Sequence, residues 1–130
     1  MVLDSSAVVS VILEEDGSRR LAEAMANADN LAIGAPTLVE TDIVMMRRLD
    51  LHGRALVAQF LEQKDVVVVP FDESHWKVAA QAFIRYGKGR HPAALNYGDC
   101  MTYATAHVAE RPLLFAGDDF AQTDLVSALG

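Results

Sequence analysis

The sequence predicts an α/β protein built on a central parallel sheet with helices on both sides. Short apolar runs alternate with amphipathic stretches along all 130 residues, the pattern of strands linked by helical crossovers. Val66, Val67, Val68 and Val69 are four consecutive β-branched residues, which suit a strand covered on both faces. Helix-length segments separate the strand candidates, and such crossovers favour parallel pairing. The expectation is a sheet of four to five short strands.

Residues 1–3 read as a buried strand that begins almost at the first residue. Ser5 or Ser6 then caps a helix whose apolar face is Ala7, Val8, Val11 and Ile12, and Gly17 breaks it. A second helix covers residues 18–28, with Leu21, Ala24, Met25 and Ala28 at helical spacing. Residues 31–33 form a second short strand. Pro36 suits the first turn of a third helix running to about Asp50, with Leu38, Val39, Ile43, Met46 and Leu49 as its apolar positions. A fourth helix spans residues 54–63, and Pro70 ends the valine strand. A fifth helix covers residues 73–86, and a loop rich in Gly, Pro and basic residues covers 87–94. A sixth helix runs over residues 98–108, starting at Asp99. Residues 113–115 are another strand, followed by a turn at 116–119, and residues 125–129 form a short strand or helix.

Composition bounds the function. A hydrophobic share of 52 % marks a folded chain, and the length suits one domain, residues 1–130, with a real core. Cys100 is the only cysteine, which rules out an internal disulfide and fits a reducing compartment; its expected role is packing. No leader pattern is visible and no apolar run approaches the ~18 residues of a membrane span, so a cytoplasmic location with no membrane partner is expected. A net charge of −7 argues against a general nucleic-acid binder. It leaves open an enzyme that needs excess carboxylate at its site.

Four acidic sites fall where strands end or helices begin: Asp4, Glu40, Asp99 and the pair Asp118 and Asp119. Each alone has an ordinary reading as a helix cap, a turn residue or a solvated side chain. Together they would meet in the crevice at the strand C-terminal ends, where open α/β sheets bind ligands. None of the 11 basic residues lies in the segments that carry them. Two carboxylates about 4 Å apart at an effective dielectric of about 20 repel by about 4 kcal/mol. Either one keeps a proton, or a cation sits between them. Oxygen ligands select Mg²⁺ or Mn²⁺. The pattern argues against zinc, since His52, His75, His91 and His107 are dispersed and no paired-cysteine motif is present.

Four segments carry a resemblance: Val2-Leu3-Asp4-Ser5-Ser6-Ala7, Pro36-Thr37-Leu38-Val39-Glu40-Thr41, Leu95-Asn96-Tyr97-Gly98-Asp99-Cys100 and Leu113 to Phe120. In order and spacing the chain resembles the PIN-domain ribonucleases, and among them the VapC toxins of type II toxin–antitoxin pairs. The resemblance implies a three-layer α/β/α sandwich, a homodimer, and endoribonucleolytic hydrolysis of RNA dependent on Mg²⁺ or Mn²⁺, leaving a 5′-phosphate and a 3′-hydroxyl. It places Asp4, Glu40 and Asp99 on the first three acidic positions of the family. Asp119, directly before Phe120, is the favoured fourth, with Asp118 as an outer ligand. The metal set is therefore Asp4, Asp99 and Asp119, with Asp118 in reserve, and Glu40 completes the shell or orients a water. Ser6 falls on a hydroxyl position that supports the first carboxylate.

RNA must reach an acidic pocket, so positive charge is expected beside it. Arg85, Lys88 and Arg90 lie just upstream of Asp99, in and beside a glycine-containing loop, and Tyr86 or Tyr97 is placed to stack an unpaired base. The resemblance further implies a cognate VapB-like antitoxin. Val9, Leu13, Leu21, Met25, Met45, Met46 and Leu56 are expected to leave an apolar groove for such a partner. Two other readings stand beside this one. The first is a catalytically inactive PIN-fold binding module. The second is another Mg²⁺-dependent acidic-pocket phosphohydrolase.

Overall fold

Two strands of only two residues each set the layers of this protein. In the computed structural model, which describes residues 1–130, β1 (Val2–Leu3) and β4 (Leu113–Leu114) pair in parallel at the sheet centre and edge. Successive side chains of a strand point to opposite faces. Val2 and Leu113 therefore enter the core beneath α4 (Glu73–Tyr86) and α5 (Tyr97–Ala109). Leu3 and Leu114 enter the opposite core, shared with α1 (Ser5–Ile12), α2 (Ser18–Asn27) and the C-terminal half of α3 (Ala35–Gln63). The result is the expected α/β/α sandwich. With β2 (Ala32–Gly34) and β3 (Val67–Val69), the sheet has four strands, all parallel, in the order β3-β2-β1-β4.

The sheet order corrects two expectations. The valine strand is an edge strand with one neighbour, and Val67 and Val68 are 59 % and 42 % exposed. A β-branched run reports strand propensity but not position within the sheet. The proposed last element at residues 125–129 is neither strand nor helix. It reduces to a single parallel bridge, Leu113 to Ser127, which shields the β4 edge.

The third and fourth predicted helices run together as α3, with one reversal at Asp50 (φ 52°, ψ −143°). That backbone costs about 1–3 kcal/mol for a residue with a Cβ, and the hairpin it makes offsets the cost. Gly53 packs against the Met45 carbonyl with no room for a Cβ, and Arg54 reaches Asp42 at 3.8 Å. The first half of α3 buries Thr37, Thr41 and Met45, while Val39, Ile43 and Leu49 face outward. The apolar stripe expected there was thus misplaced. The buried stripe is largely polar, made tolerable because Thr37 Oγ1 shares a 2.8 Å hydrogen bond with Thr102 of α5 and Thr41 donates to the Thr37 carbonyl.

The apolar groove expected on the first four helices is also corrected. Val9, Leu21, Met25 and Met45 are buried core, and Leu13, Met46 and Leu56 are half-buried against it. Exposed apolar side chains stand on α3, at Val39, Ile43, Leu49 and Leu51, and on α4 and the start of α5, at Trp76, Phe83, Ile84 and Tyr97. There Phe71, Trp76, Phe83, Tyr97, Cys100 and Met101 border an open groove of about 420 Å³. No helix is long and apolar enough to cross a membrane.

Candidate active site

Adjacent parallel strands deliver their C-terminal ends side by side. Asp4 follows β1 directly, and the Asp118–Asp119 turn follows β4 after Gly117, whose φ of 80° suits glycine. The two ends are stitched together: the Asp4 N–H donates to the Leu114 carbonyl at 3.0 Å, and the Ala116 N–H donates to Ser6 Oγ at 3.0 Å. Ser6 Oγ itself donates to Asp4 Oδ2 at 2.6 Å, and the Ser6 N–H donates to the same oxygen at 3.1 Å. Asp4, not a serine, is therefore the cap of α1. Ser6 is the hinge that ties this buried carboxylate to the Asp118–Asp119 turn.

Glu40 and Asp99 arrive on helices. Strand β2 runs straight into α3, which places Glu40 in the second turn, half-buried. Ser5 Oγ donates to Glu40 Oε1 at 3.0 Å. Asn96 caps α5 and forms a reciprocal box with Asp99: the Asp99 N–H donates to Asn96 Oδ1 at 2.9 Å, and the Asn96 N–H donates to Asp99 Oδ2 at 3.0 Å. The helix therefore starts at Tyr97, one residue before the expected 98, and Asp99 is its third residue. Gly98 lets α5 approach Glu40, because a Cβ there would overlap the Glu40 carboxylate.

The four acids share one field. Burial first, then the charges of Asp119, Asp4 and Glu40, push the Asp99 carboxyl up to about 6, against the pull of its bond to the Asn96 N–H. Burial also raises Glu40, with Asp4 adding and the Ser5 bond opposing. Asp119 is thus the member of the Asp118–Asp119 pair whose charge reaches Asp99. None of the chain's ion pairs engages any of these five carboxylates. An all-oxygen set running from buried Asp4 through half-buried Glu40 and Asp99 to exposed Asp118 and Asp119, without a counter-cation, fits a hard divalent ion. The side chains do not stand as a finished cage, since no three of them cluster at metal-holding distance. Asp4, Glu40 and Asp99 are instead each turned onto a local N–H or O–H donor.

The basic residues divide. Lys88 and Arg90 are exposed in the loop before α5 and pair with no carboxylate, Arg90 lying 6.0 Å from the Phe83 ring. Arg85 is turned to Asp124 at 3.6 Å and lies over the Tyr86 ring. Tyr97 is 79 % exposed beside Asp99, whereas Tyr86 is buried. Burial, with the Asp99 charge, pushes the Cys100 thiol up to about 11, as suits a packing residue. His75 caps α4 with Asp72, His91 accepts from the Ala93 N–H, and His107 stacks on Tyr103; none lies with the acids. The sequence marks Ser5 only as a cap candidate and Asn96 and Gly98 only as members of a motif, without their roles at the site. The Asn96-x-x-Asp99 spacing was a legible capping signal, whereas Ser5 and Gly98 required the fold.

A parallel sheet of this order with acids at its C-terminal rim defines a class. The PIN domain family model matches residues 1–125, and the chain belongs to the PIN-domain family. Within it the chain falls with the VapC ribonucleases. It is 43 % identical over 126 residues to ribonuclease VapC36 of Mycobacterium tuberculosis, covering 96 % of this chain and 91 % of that one. The fold also matches the crystal structure of M. tuberculosis VapC20, a Sarcin-Ricin loop cleaving toxin, at a TM-score of 0.79 and 15 % identity, covering 96 % and 95 % of the two chains. It matches VapBC2 from Rickettsia felis, bound to a DNA fragment from its promoter, at 0.75 and 13 % identity, covering 97 % and 94 %.

Proposed function

We propose that this chain is an endoribonuclease toxin that hydrolyses RNA phosphodiester bonds with Mg²⁺ or Mn²⁺. The observation that carries the reading is the shared field of Asp4, Glu40, Asp99 and Asp119, which no protein cation neutralises. Asp4, Asp99 and Asp119 would hold the ion, with Asp118 as an outer ligand. Bound there, the ion supplies Lewis-acid polarisation of the phosphate and a water of lowered pKa. Glu40, held by Ser5 beside those carboxylates, would complete the shell or orient a water. Ser6 holds Asp4 and the Asp118–Asp119 turn in register. Lys88 and Arg90 meet substrate phosphates at the rim, and Tyr97 offers a face to an unpaired base. Arg85, engaged by Asp124, joins them only if that pair opens.

Two protein partners complete the reading. A cognate VapB-like antitoxin restrains the toxin, as the resemblance to VapBC2 suggests. A second copy of the chain is the other partner, and the exposed Trp76 and Phe83 beside the α4–α5 groove are the surface it would cover. A cytoplasmic location accords with one unpaired, buried cysteine.

The test compares wild type with Asp4→Ala and Asp99→Ala on cellular RNA, in Mg²⁺, in Mn²⁺ and in chelator. Cleavage by wild type alone, abolished by chelator, is the expected result. Equal cleavage by all three proteins would refute the mechanism. Metal binding without cleavage in any condition would favour the inactive binding module.

A further inference from the structure

Asp119 sits on a segment with little regular structure of its own. Residues 115–130 contain no helix or strand, only turns and the bridge at Ser127. Asp99, by contrast, sits on a buried helix. For the two carboxylates to act on one ion, something must hold the loop against that helix.

Tyr103 lies one turn after Asp99 on the same face of α5. Its hydroxyl donates to Asp124 Oδ1 at 2.6 Å, and Arg85 of α4 approaches Asp124 Oδ2 at 3.6 Å. The Tyr103 ring is 4 % exposed, wedged between Tyr86 and His107. Burial, with its bond to Asp124, pushes the phenol above its ordinary range, so it remains a proton donor. Asp124 is five residues after Asp119. Between them Phe120 is buried against Phe115, and the Thr123 hydroxyl donates to the Phe120 carbonyl at 2.8 Å. One face of α5 thus carries Asp99 and also the anchor of the segment that carries Asp119.

We propose that Tyr103, Asp124 and Arg85 form a latch that positions Asp119 opposite Asp99. This rests on the reading that those two carboxylates share a metal ion. The three are positioning residues, reaching the ion only through the loop. Arg85 then serves the site by neutralising Asp124, a role distinct from contact with RNA.

The test uses the full chain with Tyr103→Phe, which keeps the ring and removes the hydroxyl, and Asp124→Asn, which keeps an acceptor for Tyr103. Two quantities are read without RNA: amide exchange at Ala121 and Thr123, and Mn²⁺ affinity by calorimetry. Tyr103→Phe should speed exchange at both amides while sheet amides stay protected. It should weaken Mn²⁺ binding about tenfold, and Asp124→Asn, which keeps the acceptor but gives up the Arg85 ion pair, should weaken it less than Tyr103→Phe does. A Tyr103→Phe protein with wild-type exchange, or with lowered melting temperature but wild-type Mn²⁺ affinity, would overturn the latch. Should wild type itself bind no Mn²⁺, the metal reading falls, and loop exchange alone decides the latch.

Discussion

Replacing Gly98 with alanine separates stability from activity. A Cβ at this position would lie 3.0 Å from Glu40 Cδ and closer still to Oε2. Ordinary carbon contacts are about 3.5–4.0 Å, so the carboxyl must withdraw by about 0.5–1 Å. It is the far end of a flexible side chain, so it moves without disturbing the backbone. Moving it strains the Ser5 bond, a loss of about 1–2 kcal/mol for a charged acceptor. Alanine recovers part of this, since glycine in a helix costs about 0.5–1 kcal/mol relative to alanine. Folding stability should therefore fall by no more than about 1.5 kcal/mol. Activity should respond far more. A misplacement of about 1 Å at a reacting centre can cost about 10²-fold, equivalent to about 2.7 kcal/mol of barrier. The assay pairs kcat/KM on RNA in Mn²⁺ with a urea melt. A Gly98→Ala protein that folds and cuts RNA at the wild-type rate would show that Glu40 need not stand where α5 now holds it.

Other outcomes test other parts of the molecule. In chelator, stability should fall as pH rises from about 4 to 6. Over that window the folded chain keeps a proton on Asp99, raised from 3.8 to about 6, that the unfolded chain has lost. Melting should thus be higher near pH 5 than near pH 7, Asp99→Asn should flatten the slope, and an unchanged or rising melting temperature would contradict the acid field. Removing Lys88 and Arg90 together should raise KM for single-stranded RNA, leave kcat unchanged, and lower the salt slope by about 1.4, at about 0.7 per phosphate contact; an unchanged slope would exclude both. Thr37→Val should destabilise the fold by about 1–3 kcal/mol by leaving the buried Thr102 hydroxyl unpaired. The Thr37→Val/Thr102→Val double variant should recover most of that loss in a chemical melt, and additive losses would show that the pair is not coupled.

The linear chain determined what local chemistry can encode. Val2 and Leu3 before Asp4, the amphipathic runs, and the span of α4 were all readable, because strand and helix periods write themselves into neighbouring residues. The places of Asp4 after β1, Asp99 at the start of α5 and the Asp118–Asp119 turn after β4 were legible in the same way, whereas Glu40 lies in the second turn of α3. Tertiary structure decided what depends on distant partners. It placed the valine strand at an edge, because sheet order is set by which strands pair and not by how apolar each one is. It turned the Thr37, Thr41 and Met45 face of α3 inward, because Thr102 offered a hydroxyl that satisfies the buried pair. And it engaged Arg85 with Asp124, since a cation's partner is fixed by what the fold brings within a few ångströms, here from 39 residues further along the chain.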